Sequence, residues 1–183
     1  MLRMANKPIK IPGGITVNLD TKNRLISFKK GNHELVRSIH ADVSIDYNSQ
    51  DNELTVRAAE NANVKTVKAQ LGTCCAHIKN ILKGLTDGFS RELIIFGTGY
   101  KGKLQGRVLV LDLGYSHDVK CEIPEGVLVE MPSQTEINLK SHCVETLGSF
   151  VDFLLTRRRL CRYKGKGIRD KHIPFVAKVV RKA

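Results

Sequence analysis

Three groups of residues in this chain have the types and spacing to do chemistry. Gly97-Thr98-Gly99-Tyr100-Lys101-Gly102 matches G-x-G-x-x-G, the loop that lays a pyrophosphate on a helix N-terminus. Such a site needs a helix opening at the loop. Here Lys103-Leu-Gln-Gly106 intervenes and a strand begins at Val108, so the run reads as a strand ending in a glycine-rich hairpin. Cys74-Cys75-Ala76-His77 offers soft ligands, but structural zinc takes four, usually in C-x-x-C pairs. Cys121, Cys143 and Cys161 are scattered, and Cys121 fills an inward strand position. The histidines at 33, 40, 77, 117, 142 and 172 stand near no Ser, Cys or paired carboxylate in a pattern that makes a hydrolytic dyad. No catalytic residue, metal or cofactor is expected, and the chain is not read as an enzyme.

The third group is Tyr163-Lys164-Gly165-Lys166-Gly167-Ile168-Arg169, preceded by Arg157-Arg158-Arg159. Two glycines interleaved with two lysines do not hold a regular helix. They let the backbone come close to a surface while both ammonium groups reach it. Tyr163 adds a flat face for a ribose or base. An acidic membrane is the competing surface for the arginine run, but Leu160, Ile168, Ile173 and Phe175 are too few and too dispersed for an amphipathic anchor.

Charge along the chain supports a polyanion. Residues 157–183 hold 11 Lys and Arg against one acid, Asp170, for +10 of a formal net charge of +12. Residues 1–84 carry +6 and residues 85–156 carry −4. A body followed by a cationic segment is the electrostatic plan of a nucleic-acid binder. Aromatics are only 5% of the chain and Trp is absent, which argues against a surface built mainly to stack bases. At 42% hydrophobic the chain can close a core, and no run approaches 18 apolar residues, so no membrane-spanning helix is expected. Five cysteines, an odd number with one adjacent pair, point to a reducing compartment. The opening MLRMANKPIKIPGG has neither a secretory h-region nor a long organellar presequence pattern.

The elements that must position these residues come from periodicity. Ile15, Val17 and Leu19 alternate with polar neighbours, as do Val43, Ile45 and Tyr47, then Leu54, Val56 and Ala58. RLISF and HELVRSI flank Lys29-Lys30-Gly31-Asn32, a hairpin turn, and Asp51-Asn52 marks another. Val64, Val67, Leu71, Cys74 or Cys75, Ile78 and Leu82 then recur every three or four residues, giving a helix that ends near Gly84. The plan repeats with strands at Glu92–Phe96, Val108–Leu113, Val119–Ile123, Val127–Met131 and Ile137–Leu139. A helix follows, with Ser141 as N-cap and Val144, Leu147, Val151 and Leu154 on one face. Val43-Ser-Ile-Asp-Tyr answers Val127-Leu-Val-Glu-Met, and Glu53-Leu-Thr-Val answers Glu136-Ile-Asn-Leu. The expected fold class is therefore α+β: two similar small domains, each an antiparallel-rich sheet with one packed helix, at 1–84 and 85–156. A basic C-terminal extension covers 157–183.

The string Tyr163-Lys-Gly-Lys-Gly-Ile168, with Leu113-Gly-Tyr-Ser-His117, Gly97-Thr-Gly-Tyr100 and Ser133-Gln-Thr-Glu-Ile137, resembles the protein-six family of the large ribosomal subunit, of bacterial and organellar type. Lys7-Pro-Ile-Lys-Ile-Pro-Gly-Gly-Ile15 and Gly84-Leu-Thr-Asp-Gly-Phe89 fit its start and its interdomain join, so the likeness runs along essentially the whole chain. The resemblance implies a structural protein on large-subunit ribosomal RNA near the factor-binding region, around the sarcin–ricin stem. It implies neighbouring ribosomal proteins as partners, translation factors as a further candidate, and no membrane. The compartment would be a bacterial cytoplasm or an organelle matrix, the mitochondrial one included. Carried over by motif, with the adjoining cations, the RNA-facing residues are Arg157, Arg158, Arg159, Arg162, Tyr163, Lys164, Gly165, Lys166, Gly167, Arg169 and Lys171, then Lys101, Ser116, His117 and Gln134. Similar proteins usually carry Pro-Glu-Pro where this chain has Leu160-Cys161-Arg162, and a proline where it has Asp118; losing the prolines removes a stiff entry to the motif. The rival readings are a non-ribosomal RNA-binding or RNA-processing protein with the same tail, and a module that binds an acidic protein.

Overall fold

The computed structural model describes residues 8–59 and 64–179, with the side chains of Val64 and Lys65 outside that description. Lys7 of the opening motif, the side chain of Val64 on the first helix, and Arg181 and Lys182 of the basic segment therefore lie outside the described residues. The chain divides into two units, 1–88 and 89–183.

In the first unit, β1 (Ile9–Lys10), β5 (Val43–Asn48) and β6 (Glu53–Ala58) form an antiparallel sheet in the order β1-β6-β5. A second sheet runs β2-β3-β4, from β2 (Thr16–Asp20), β3 (Leu25–Lys30) and β4 (His33–Ser38). The turns fall where expected. Gly31 takes φ +58° between β3 and β4, and Asn52 takes φ +51° between β5 and β6, a conformation asparagine tolerates better than most residues. Alternation sends Ile26, Phe28, Leu54 and Val56 inward, where α1 (Val64–Thr86) lays Val67, Leu71, Cys75, Ile78, Leu82 and Leu85 over them. Cys75 is the buried member of the cysteine pair, and burial pushes the thiol of the half-buried Cys74 up to about 11. The helix runs two residues past Gly84. It is Gly88, at φ +73°, whose N–H reaches the Lys83 carbonyl (3.2 Å), so the break between units falls there.

The second unit repeats this plan. β8 (Lys101–Gln105), β9 (Val108–Asp112) and β10 (Val119–Glu122) form one sheet; β7 (Phe89–Phe96), β11 (Val127–Ser133) and β12 (Glu136–Ser141) form another, in the order β11-β12-β7. The triplet β7, β12, β11 corresponds to β1, β6, β5, and α2 (Val144–Arg157) to α1. The core holds Leu93, Ile95, Leu109, Leu111, Leu113, Cys121, Ile137, Leu139 and, from α2, Leu147, Phe150 and Leu154.

Four points depart from the sequence reading. Lys101–Gln105 is a strand, although its only inward residue is Gly102: a Cβ there would stand 2.8 Å from the Met131 Cε and 3.1 Å from Leu111. With glycine as the inward residue there is no apolar alternation to detect. Ser141 is not the cap of α2. That position belongs to Cys143, with no side-chain bond, while the Ser141 hydroxyl donates to the Gly126 carbonyl (2.8 Å) and accepts from the Cys143 N–H (3.1 Å). The arginine triplet, which reads in the sequence as the cationic close of the second helix, does not all belong to it: only Arg157 is helical, and Arg158 is extended and ends the helix.

Finally, part of the basic segment joins the sheet of the second unit. β13 (Gly167–Asp170) pairs antiparallel with β7, Ile168 opposite Ile95, and extends the sheet to β11-β12-β7-β13. Ile168 is buried in the core, and the buried Asp170 carboxylate takes Arg91 (3.3 Å) and the His172 N–H (2.9 Å). Ser141→Ala leaves a carbonyl and an N–H without their hydroxyl partner, and we expect a loss of about 1–2 kcal/mol. Urea unfolding checks this; an unchanged midpoint would mean that water takes over both bonds.

Candidate nucleic-acid interface

Folding brings the predicted residues from four separate stretches onto one unit. The Lys101 ammonium stands 3.8 Å from the Asp112 carboxylate across β8 and β9. The Gln134 carbonyl accepts from the Gly102 N–H at 2.8 Å, which ties the β11–β12 turn to the start of β8. Lys166 Nζ donates to Thr98 Oγ1 at 3.1 Å, joining the basic segment to the turn after β7. Ser116 and His117 lie in the exposed loop between β9 and β10, where the His117 and Tyr115 rings run nearly parallel, 22° apart with centroids 6.2 Å apart.

Tyrosines organise this face. Tyr100 folds over its own turn, against Gly97 and Gly114, both of which a side chain would drive into its ring. The Arg158 guanidinium lies 4.7 Å from the Tyr115 ring and 5.8 Å from that of Tyr100. The Tyr115 hydroxyl, ahead of that of Tyr100, raises the guanidinium of Arg158 above its usual range. The Tyr115 hydroxyl also donates to the Arg157 carbonyl at 3.1 Å, satisfying a free carbonyl at the end of α2. Arg157 lies 3.8 Å over Phe153, and Arg169 lies between Phe96 (5.4 Å) and Phe175 (5.7 Å). Tyr100, Tyr115, Thr98 and Phe96 were not among the expected site residues. All four stand in or beside Gly97-Thr-Gly-Tyr100 and Leu113-Gly-Tyr-Ser-His117, which is the one signal the sequence offers for them.

The loop from 158 to 168 is closed on itself. Cys161 N–H donates to the Lys166 carbonyl, Gly165 N–H to the Cys161 carbonyl (both 2.8 Å), and Ile168 N–H to the Arg158 carbonyl (3.1 Å). This corrects the role read for the glycines. Both are buried: a Cβ on Gly165 would meet the Phe175 ring at 3.0 Å, and one on Gly167 would stand 2.9 Å from the Arg159 carbonyl oxygen and the Leu160 Cα. Their missing side chains make room for the protein's own backbone and core. Lys171 is likewise engaged internally, with Glu92 at 3.1 Å and Glu136 at 3.8 Å; the bond to Glu92, then the charge of Glu136, raise its ammonium above the usual range.

What remains is a cationic rim. Arg159, Arg162 and Lys164 are exposed, and none has a carboxylate within 4.0 Å among the described residues. Tyr163 stands between two of them. At the foot of the loop, the Lys164 and then the Tyr163 N–H hold the Cys161 thiol below its usual range. Among the described residues no group of three or more His, Cys, Asp or Glu could hold a metal, and no helix is long and apolar enough to cross a membrane. Fixed cations on flat rings, with free cations beside them, can neutralise phosphates and stack on bases.

The family model described as ribosomal protein L6 matches the chain twice, over residues 11–88 and 96–171. Each match lies within one unit, and the second includes β13. The large ribosomal subunit protein uL6 of Neisseria gonorrhoeae is 39% identical over 169 residues, covering 92% of each chain. That of Alkaliphilus metalliredigens is 34% identical over 183 residues, all of this chain and 96% of the relative. That of Colwellia psychrerythraea is 38% identical over 169 residues.

Proposed function

The chain belongs to the ribosomal protein L6 family, and on that premise we propose that it is a structural constituent of the large ribosomal subunit that holds ribosomal RNA on the cationic face of its second unit. The observation that carries the reading is the rim of Arg159, Arg162 and Lys164, exposed and with no carboxylate within 4.0 Å among the described residues, mounted on a loop that the fold closes internally. Such a loop meets RNA as a preformed shape. Lysines and arginines displace condensed counterions from phosphates, and this release supplies most of the affinity. Net negative charge between 85 and 156 keeps the rest of the unit from adhering to RNA, so the loop sets the orientation. Recognition then follows RNA shape, because an A-form duplex hides its base edges in a deep, narrow groove.

The finer reading places this contact near the factor-binding region, around the sarcin–ricin stem, on a ribosome of bacterial type in a bacterial cytoplasm or an organelle matrix. Neighbouring ribosomal proteins, and translation factors that approach the same RNA, are the further partners. In this role the protein holds RNA segments in a fixed relation and turns nothing over. Fractionation of a lysate tests it. The chain should sediment with the large ribosomal particle at low salt and leave it in a high-salt wash, since six to eight phosphate contacts lose roughly three or more powers of ten in affinity over that range. A chain that stayed in the soluble fraction at low salt would overturn the proposal and favour an RNA-processing role or an acidic protein partner.

A further inference from the structure

From the same face, and resting on the RNA reading above, we infer that the interface takes an unpaired base, stacked among its exposed rings, in addition to phosphate backbone. Composition alone pointed the other way, since aromatics are scarce. The exposed ones all fall in one unit. Among the described residues the exposed aromatics are Phe96, Tyr115, Phe153 and Tyr163, all in the second unit, at 49%, 42%, 36% and 58% exposure. Three of the four carry an arginine across the ring: Arg169, Arg158 and Arg157. The fourth, Tyr163, is flanked by Arg162 and Lys164.

Neutralising a duplex backbone needs cations on flexible stems, and the rim supplies them. It does not need three guanidinium planes laid on rings, an arrangement that gives up side-chain freedom. Flat, charged and oriented surfaces are what an extruded base uses, because every base has a face to stack and none can offer it inside a duplex. Orientation is built in. The Tyr115 hydroxyl is held by the Arg157 carbonyl, and the His117 ring lies nearly parallel to Tyr115, so the pair presents flat faces beside the rim. Tyr163, the most exposed of these four rings, stands at the loop tip, its ring and hydroxyl without a partner among the described residues.

The test compares two RNA stems against the full chain at one salt concentration. One stem carries a single unpaired 2-aminopurine in a bulge; in the other the same nucleotide is paired. The bulged stem should bind about tenfold more tightly, and its fluorescence should fall on binding as the base stacks. Tyr163→Ala and His117→Ala should each shrink the affinity ratio, and Tyr163→Phe should restore it where Tyr163→Leu does not. Equal affinities with unchanged fluorescence would overturn the inference while leaving the RNA reading in place. A bulge preference without a fluorescence change would overturn it too, as recognition of a bent stem. Absent binding to both stems would remove the RNA reading along with it.

Discussion

Gly167→Ala is expected to destabilise the second unit by about 2–4 kcal/mol and to weaken RNA binding with it. Two independent costs meet at this residue. Its φ of +138° is one that L side chains rarely adopt, and the added Cβ would stand 2.9 Å from the Arg159 oxygen and the Leu160 Cα and 3.0 Å from the Arg158 oxygen. Those neighbours are backbone and cannot rotate away. Relief requires the loop to lift from the sheet, which breaks the Ile168–Arg158 hydrogen bond and pulls Ile168 out of the core. Urea denaturation reads the loss as a lower midpoint at constant slope. Gly148, on α2 with nothing within 4 Å of its Cβ position, is the control, and alanine there should stabilise slightly. A Gly167→Ala midpoint equal to the parent's would show that the chain crossing is looser than these distances state.

Removing the rim charges together, as Arg159→Ala, Arg162→Ala and Lys164→Ala in one chain, should leave stability nearly unchanged, because exposed cations without partners contribute little to folding. RNA affinity should fall about 100-fold at moderate salt, and the slope of log affinity against log salt should flatten by about 2. Filter binding over a salt series gives both quantities. Lys171→Ala supplies the contrast, since its ammonium is already taken by Glu92 and Glu136 and should move the slope far less. A triple variant with an unchanged slope would place the phosphate contacts elsewhere on the molecule.

Much of this fold is written in local pattern. The β5–β6 and β11–β12 hairpins, the turn at Gly31-Asn32 and both helices follow from periods of two and of three to four. Three elements escape such reading for three physical reasons. β8 turns a glycine inward, so its period is silent. β13 is four residues long and owes its place to one buried isoleucine and to a buried Asp170 whose partner, Arg91, lies 79 positions earlier. The two-residue β1 exists only as a partner of β6.

The candidate site divides the same way. Its cations are visible because charge is local in sequence. The tyrosines that hold Arg158 come from two distant turns, and only the closed sheets bring them together. Nor could sequence distinguish a glycine that admits RNA from Gly167, which admits the chain's own backbone.

The pairing of β13 with β7 sets an order of events at birth. The opening strand of the second unit has one edge waiting for residues some seventy positions downstream, so the sheet stays open while most of the unit is being made. The arginine face is therefore finished last. A nascent chain that has not reached β13 lacks the partner strand of β7, and the loop carrying Arg159, Arg162 and Lys164 lacks the backbone bonds that close it.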